Sequence, residues 1–261
     1  VNRYSSVEMM AIAGSRLITD GEAVLVGTGL PLVSTLLAKH THTPNAVVLM
    51  ESGLYDSNPE SLPFCVADPR GVYQTPWIGS AIEIMGQFLQ NKMVDIGFLG
   101  GAQVDRFGNL NSTCIGDYAK PTKRFEGSGG ACDIAIMALK TIIIMTHEVK
   151  RFVEHVDYLT SPGWMVHQYP DGKLVSREEA GLWGGPYAVV STLGVMKFHP
   201  KTHVMYVESY FADMGVTPEE ISQNTGFLIN VSQAKPLEPP TEEELNVLRR
   251  VVDPEGIFMK Y

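Results

Sequence analysis

Cysteine is scarce. Cys65, Cys114 and Cys132 are the only three in the chain, widely spaced, with no CxxC pair and no histidine at zinc-ligand spacing. That excludes a disulfide framework and gives no expected metal site, and it fits buried thiols in a reducing compartment. Long basic runs are missing too. With 20 Lys and Arg against 29 Asp and Glu, the formal net charge is −9, and nothing could track a phosphate backbone, so nucleic acid is not an expected partner. No stretch approaches the roughly 20 apolar residues of a membrane span, and a basic-then-apolar signal pattern is absent, so the expected location is cytoplasmic, with no membrane partner. Repeats and polar linkers are equally lacking. One domain over 1–261 is therefore expected. The 44% hydrophobic and 19% charged content suits a large globular core.

What is present alternates between apolar runs and helical periodicity. Ser5 and Ser6 can cap a helix whose apolar positions, Val7 to Ile18, fall mostly on one face. Ala23-Val24-Leu25-Val26 reads as a buried strand that runs into Gly27-Thr28-Gly29-Leu30-Pro31 and then a helix through Lys39, with Pro31 suited to its first turn. Val47-Val48-Leu49-Met50 is a second strand, and it stops on Glu51-Ser52-Gly53. The proline-rich stretch from Leu54 to Pro76 predicts a long surface excursion without regular elements. A helix through Ile82 to Leu89 and a strand over Val94 to Leu99 follow. Gly100-Gly101-Ala102-Gln103 comes next, then the turn Phe107-Gly108-Asn109, a basic cluster from Lys120 to Phe125, and a second glycine loop, Gly127 to Ala131, opening a helix. Thr141 to Thr146 is a β-branched strand followed by the polar His147 to Arg151. Further strands are expected near Tyr187 to Ser191, Leu193 to Phe198 and His203 to Tyr210. Thr217-Pro218-Glu219-Glu220 and Thr241-Glu242-Glu243-Glu244 each predict a capping box. The pattern is α/β, an open and mostly parallel sheet with helices on both faces.

Strand ends carry chemistry in such folds. Those at Gly27, Glu51 and Gly100 are expected along the C-terminal edge of the sheet, with the 127–131 loop as a fourth wall. Glu51 suits a general base, a metal ligand or a nucleophile. A carboxylate attacking a thioester or ester needs donors for the resulting oxyanion, and glycine loops let N–H groups approach closely. The alternatives are poorer. GTGLP lacks the third glycine of a dinucleotide fingerprint, and neither Ser52 nor Ser128 sits in a G-x-S-x-G elbow. His147 reads as a local hydrogen-bonding residue, and Cys114 and Cys132 as packing.

These segments together resemble a family. Gly27-Thr28-Gly29-Leu30-Pro31, Glu51-Ser52-Gly53-Leu54, Gly100-Gly101-Ala102-Gln103, Ile115-Gly116-Asp117-Tyr118, Gly127-Ser128-Gly129-Gly130-Ala131, Thr160-Ser161-Pro162-Gly163-Trp164 and Asn224-Thr225-Gly226-Phe227 are similar to the β subunits of class I coenzyme A transferases, the glutaconate-type branch above all. The resemblance implies that Glu51 is the nucleophile, that a glutamyl-CoA thioester forms in a ping-pong course, and that coenzyme A enters as a thioester substrate with no permanently bound cofactor. It also implies that Gly129, Gly130 and Ala131, with Gly100, Gly101, Ala102 and Gln103, line the thioester site and its oxyanion hole. A homologous α subunit is the implied partner, in an αβ heterodimer that pairs further. The rivals are a CoA-thioester hydrolase or decarboxylase on the same scaffold, branches that typically lack this glutamate, and a non-catalytic assembly subunit.

Overall fold

Ser5 opens the first helix, α1 (Ser6–Ser15). Its hydroxyl accepts the Glu8 N–H, and the Glu8 carboxylate accepts the Ser5 N–H in return, which satisfies two orphan donors of the helix start together. The apolar stripe expected on one face is exceeded: every residue from Glu8 to Ser15 is buried. Small residues make this possible, since a Cβ at Gly14 would stand 2.8 Å from Ser34 Oγ on the next helix. The computed structural model describes residues 3–167 and 171–259. It divides into two compact units, Val1–Phe98 with Glu238–Tyr261, and Leu99–Leu237.

In the first unit, β1 (Ala23–Val26) leads through a glycine turn to α2 (Leu30–Lys39), with Pro31 in the first turn as expected. β2 (Val47–Met50) lies parallel to β1 in a register that pairs Val26 with Met50. Val24 to Val26 and Val48 to Met50 are buried, as continuous apolar runs in parallel strands should be. The excursion after Glu51 is more ordered than expected. β3 (Leu54–Tyr55) turns back antiparallel to β2, and β4 (Trp77–Ile78) pairs antiparallel with β3. Proline is tolerated there because these two-residue strands flank the stretch from Pro59 to Pro76 and contain no proline themselves. The expected helix at Ile82–Leu89 is present and has π-type turns. β5 (Ile96–Leu99) runs parallel to β1 on its other side, Leu25 opposite Gly97. The C-terminal helix Glu242–Val247 carries the complete Thr241/Glu244 box. Arg16 holds Glu244 through Nε and Nη2, both at 2.7 Å, and Arg249 Nε reaches the Glu8 carboxylate at 2.6 Å. Forked guanidinium contacts of this kind fix orientation as well as proximity, and they tie the chain's last segment to α1.

In the second unit a hairpin forms around Phe107-Gly108-Asn109. β6 (Gln103–Val104) pairs antiparallel with β7 (Leu110–Asn111), and the Asp105 carboxylate accepts from the N–H groups of Phe107 (2.8 Å) and Asn109 (3.0 Å) and from Asn109 Nδ2 (2.8 Å). Burial pushes the Asp105 carboxyl up despite those donors. β8 (Cys114–Ile115) pairs with β9 (Lys123–Arg124), and α3 (Ala131–Met137) follows the glycine loop. β10 (Lys140–Met145) is parallel to β13 (Pro186–Ser191), which is followed antiparallel by β14 (Gly194–Phe198) and β15 (Met205–Tyr210). Between β10 and β13, β11 (Met165–His167) and β12 (Leu174–Ser176) make a small hairpin. α4 (Pro218–Gln223) departs from expectation in one detail: Thr217 accepts the Glu220 N–H, but without the reciprocal carboxylate bond that completes the expected box at Thr241. The class is the α/β one expected, with parallel pairs among the long central strands and antiparallel hairpins outside them.

Among the described residues Arg177 is the largest fully buried side chain. It donates to Trp183 O (3.0 and 2.9 Å), Pro162 O (2.9 Å), Gly163 O (3.2 Å) and Ala135 O on α3. Burial lowers its pKa to about 10, so it stays charged at neutral pH and ties α3 to the loop segments at 162–163 and 183 through their carbonyls. Cys114 is buried and Cys132 half-buried, as packing residues would be, but Cys65 is exposed on the excursion. Among the described residues no helix is long and apolar enough to cross a membrane.

Candidate active site

The first unit presents two strand ends at one level. Because Val26 pairs with Met50, Gly27 and Glu51 leave the sheet side by side, and the N-terminal end of α2 with its free N–H groups follows directly after Gly29. Glu51 is half-buried and sits in a tight turn closed by the Gly53 N–H on Met50 O (3.0 Å). Gly53 has φ 110°, a conformation that only glycine adopts without strain. Its carbonyl accepts the Gly79 N–H at 2.8 Å, and a Cβ at position 53 would overlap the Gly79 carbonyl. Glu51 is thus carried on a turn locked from both sides. Beside it, the Ser52 hydroxyl is buried without a hydrogen-bond partner among the described residues.

The second unit holds a hollow of about 320 Å³ lined by Gly100, Gly101, Ala102, Ser112, Phe125, Glu126, Gly127 and Arg151. Its wall is pinned by Phe125 N–H to Thr113 O (2.9 Å), Gly127 N–H to Ser112 O (3.2 Å) and Ser112 Oγ to Gly127 O (2.9 Å). Gly100, Gly101 and Ala102 therefore form part of this hollow's lining. Gln103 is turned inward: its Oε1 accepts from Asn111 Nδ2 (2.7 Å) and the Asp157 N–H (3.0 Å). In the glycine loop, the Ala131 N–H is taken by Ser128 O at 2.8 Å, whereas Gly129 and Gly130 donate to no acceptor among the described residues. A Cβ at Gly127 or Gly129 would meet nothing within 4 Å, so their backbones stand open to a ligand.

His147 is the structural residue expected. It is buried and stacked on Phe152, with Nδ1 2.9 Å from Ser191 Oγ and Nε2 3.0 Å from Thr225 Oγ1. Burial lowers its pKa to about 3, so it is neutral and enclosed. Among the described residues no group of three or more His, Cys, Asp or Glu could hold a metal ion. The sequence patterns leave out Arg151, Lys123 and Phe125 as site residues, although they carry a weak signal: the basic cluster at 120–125 and the basic pair Lys150-Arg151 are separate in sequence and meet only in the fold.

A strand-end glutamate on a locked turn and open glycine loops on an α/β scaffold define a class, and the chain belongs to the coenzyme A transferase family, whose model matches residues 7–224. It is similar to the B subunit of glutaconate CoA-transferase from Acidaminococcus fermentans, at 40% identity over 98% of this chain and 96% of that one. A second relative is the B subunit of 3-oxoadipate CoA-transferase from Pseudomonas knackmussii, 38% identical over 95% of this chain and 94% of its own length. Among solved structures, the crystal structure of glutaconate coenzyme A-transferase from Acidaminococcus fermentans matches with a TM-score of 0.90 at 39% identity, covering 99% of this chain and 98% of that one.

Proposed function

We propose that this chain is the catalytic β subunit of a CoA-transferase acting on carboxylic acids, dicarboxylic ones in particular, and that 1–261 works as one functional domain in the cytoplasm beside a homologous α subunit. The family match runs across both compact units, which supports the single-domain reading. The glutaconate and 3-oxoadipate relatives are both B subunits by name, and both are named for diacids, which supports the partner and the substrate class.

The course that this reading implies is ping-pong. The Glu51 carboxylate adds to the acyl-CoA carbonyl and expels CoA as its thiolate, leaving an acyl-glutamyl anhydride. The thiolate then attacks the glutamyl carbonyl, forming a glutamyl-CoA thioester and releasing the donor acid as its carboxylate. An acceptor carboxylate attacks that thioester, again through an anhydride and free thiolate, and the thiolate takes the new acyl group while Glu51 returns to a carboxylate. Each addition places negative charge on a carbonyl oxygen, and unspent N–H groups such as those of Gly129 and Gly130 are what a water-poor site uses to hold it. The observation that carries the reading is Glu51 itself, ending a buried parallel strand on a turn that fixes its backbone. Exposing the assembled subunits to acyl-CoA, trapping with hydroxylamine or borohydride and mapping peptides by mass tests it. Modification at Glu51 is expected; an unmodified Glu51 during turnover would overturn the mechanism.

A further inference from the structure

Next to the glycine-lined hollow the second unit holds another cleft of about 300 Å³, lined by Ala102, Ile115, Lys123, Phe125, Lys150 and Arg151. The two cavities share Ala102, Phe125 and Arg151. Half of the second cleft's lining residues are cations and none is an acid, in a chain whose net charge is −9. Nearby acids include Glu148, which Lys150 Nζ meets at 3.1 Å and Arg151 Nε at 3.2 Å, Glu126, which lines the hollow, and Asp157, whose carboxylate accepts the Gly116 N–H at 2.8 Å. Within ion-pair distance a single carboxylate, Glu148, serves both Lys150 and Arg151, and Lys123 adds a third cation to the cleft. Lys123 lies 5.0 Å over the Phe125 ring and has no carboxylate partner among the described residues. Arg151 meets Glu148 through Nε, so its Nη1/Nη2 end, which can also take a carboxylate, makes no hydrogen bond among the described residues. Ala102, Ile115 and Phe125 supply apolar wall between these charges, suited to a short methylene chain.

We propose that this cleft is the subsite for the second carboxylate of a dicarboxylic acyl group, with Arg151 as its main contact and Lys123 as its support. The inference rests on the CoA-transferase reading, in which Gly100, Gly101 and Ala102, wall residues of the adjoining hollow, line the site that takes a thioester carbonyl. The far carboxylate of a five- or six-carbon diacid is only a few bonds from that carbonyl, whereas the phosphates of CoA lie beyond the long pantetheine arm. Adjacency of the two cavities therefore favours the carboxylate over a CoA phosphate.

The test compares the wild-type chain with Arg151→Met and, independently, Lys123→Met, each assembled with its partner. Equilibrium binding of glutarate and of butyrate reads the subsite without turnover, and initial rates with acetyl-CoA as donor and either acid as acceptor read the reaction. The preference for glutarate over butyrate is expected to fall about 10- to 100-fold in Arg151→Met, the range for losing a charge-assisted contact, and by a smaller factor in Lys123→Met. An unchanged preference in both variants overturns the proposal. So does an equal loss with both acids accompanied by a matching rise in the acetyl-CoA KM, which would assign the cations to CoA phosphate. Absence of any CoA transfer by the wild-type complex would instead refute the functional reading, and the binding comparison would still decide the subsite.

Discussion

Two glycine-bearing turns do opposite work in this chain. At 51–53 the glycine is enclosed: Gly53 is bonded on both sides and has the Gly79 carbonyl where a side chain would begin. At 127–129 the glycines have positive φ as well, 95° and 47°, but nothing within 4 Å of a built Cβ. Both turns are inaccessible to ordinary residues without strain, yet only the first is also closed by packing. A nucleophile gains from a backbone that cannot drift, because misplacement of about an ångström costs heavily in rate. A loop that supplies N–H groups gains from keeping its surface free for the substrate. The same residue type thus serves confinement in one place and access in the other.

The largest effect should come from the group that the first turn carries. Glu51→Ala is expected to lower CoA exchange by more than about a thousandfold, as loss of a covalent nucleophile does, while circular dichroism and the unfolding midpoint stay near wild type. Exchange persisting within tenfold would remove the first turn's claim to the chemistry. The glycines themselves come next. Gly53→Ala combines strained φ with backbone overlap and should cost about 2–4 kcal/mol, whereas Gly129→Ala faces left-handed strain alone, about 1 kcal/mol. Urea unfolding of both variants measures the difference. Equal losses would break the contrast between closed and open turns.

Much of this arrangement is legible in the sequence alone. Continuous apolar runs mark β1, β2 and β10, and the Ser5 and Thr241 boxes mark helix starts, because those signals are local: a period, a cap, a β-branched run. The Glu51 strand end is legible for the same reason. What escapes is non-local. Nothing near Gly79 shows that its carbonyl closes the Gly53 turn. The strands Leu54–Tyr55 and Trp77–Ile78 form by pairing across about 20 intervening residues of proline-rich chain, which local propensity cannot foresee. Lys123 and Arg151 are 28 positions apart and line one cleft. Gln103 sits within a glycine motif that lines the hollow, yet its side-chain oxygen accepts from the buried Asn111 amide and from the main-chain N–H of the exposed Asp157.

Arg177 shows what an open loop requires behind it. A lone arginine between Ser176 and Glu178 reads as surface, since such residues are almost never fully buried without partners; here the partners are main-chain carbonyls, including Ala135 O on the helix that follows the glycine loop. Arg177→Met keeps bulk but strands those carbonyls, and should cost about 3 kcal/mol. In transfer assays at a temperature where the variant is folded, kcat should fall more than KM rises, because the loop's donors act on charge formed in the transition state. A loss confined to stability, with kcat intact, would show that the loop keeps its place without this anchor.

The end of β10 offers the smallest and most specific test, because it places a titratable group after a buried parallel strand as β2 does, but seals it. His147 has both ring nitrogens engaged and a pKa lowered to about 3 by burial, against about 6.5 in an unfolded chain. The unfolded state therefore takes up a proton first as pH falls. Stability from this site is complete above about pH 6.5 and declines below it, toward the folded value, since unfolding gains a proton in that window. His147→Gln retains hydrogen-bonding capacity and removes the titration. The stability difference between wild type and variant should shrink by about 1 kcal/mol between pH 7.5 and 5.5, measured by urea unfolding. A constant difference would mean that the ring accepts a proton in place, and that this strand end is as open as the one bearing Glu51.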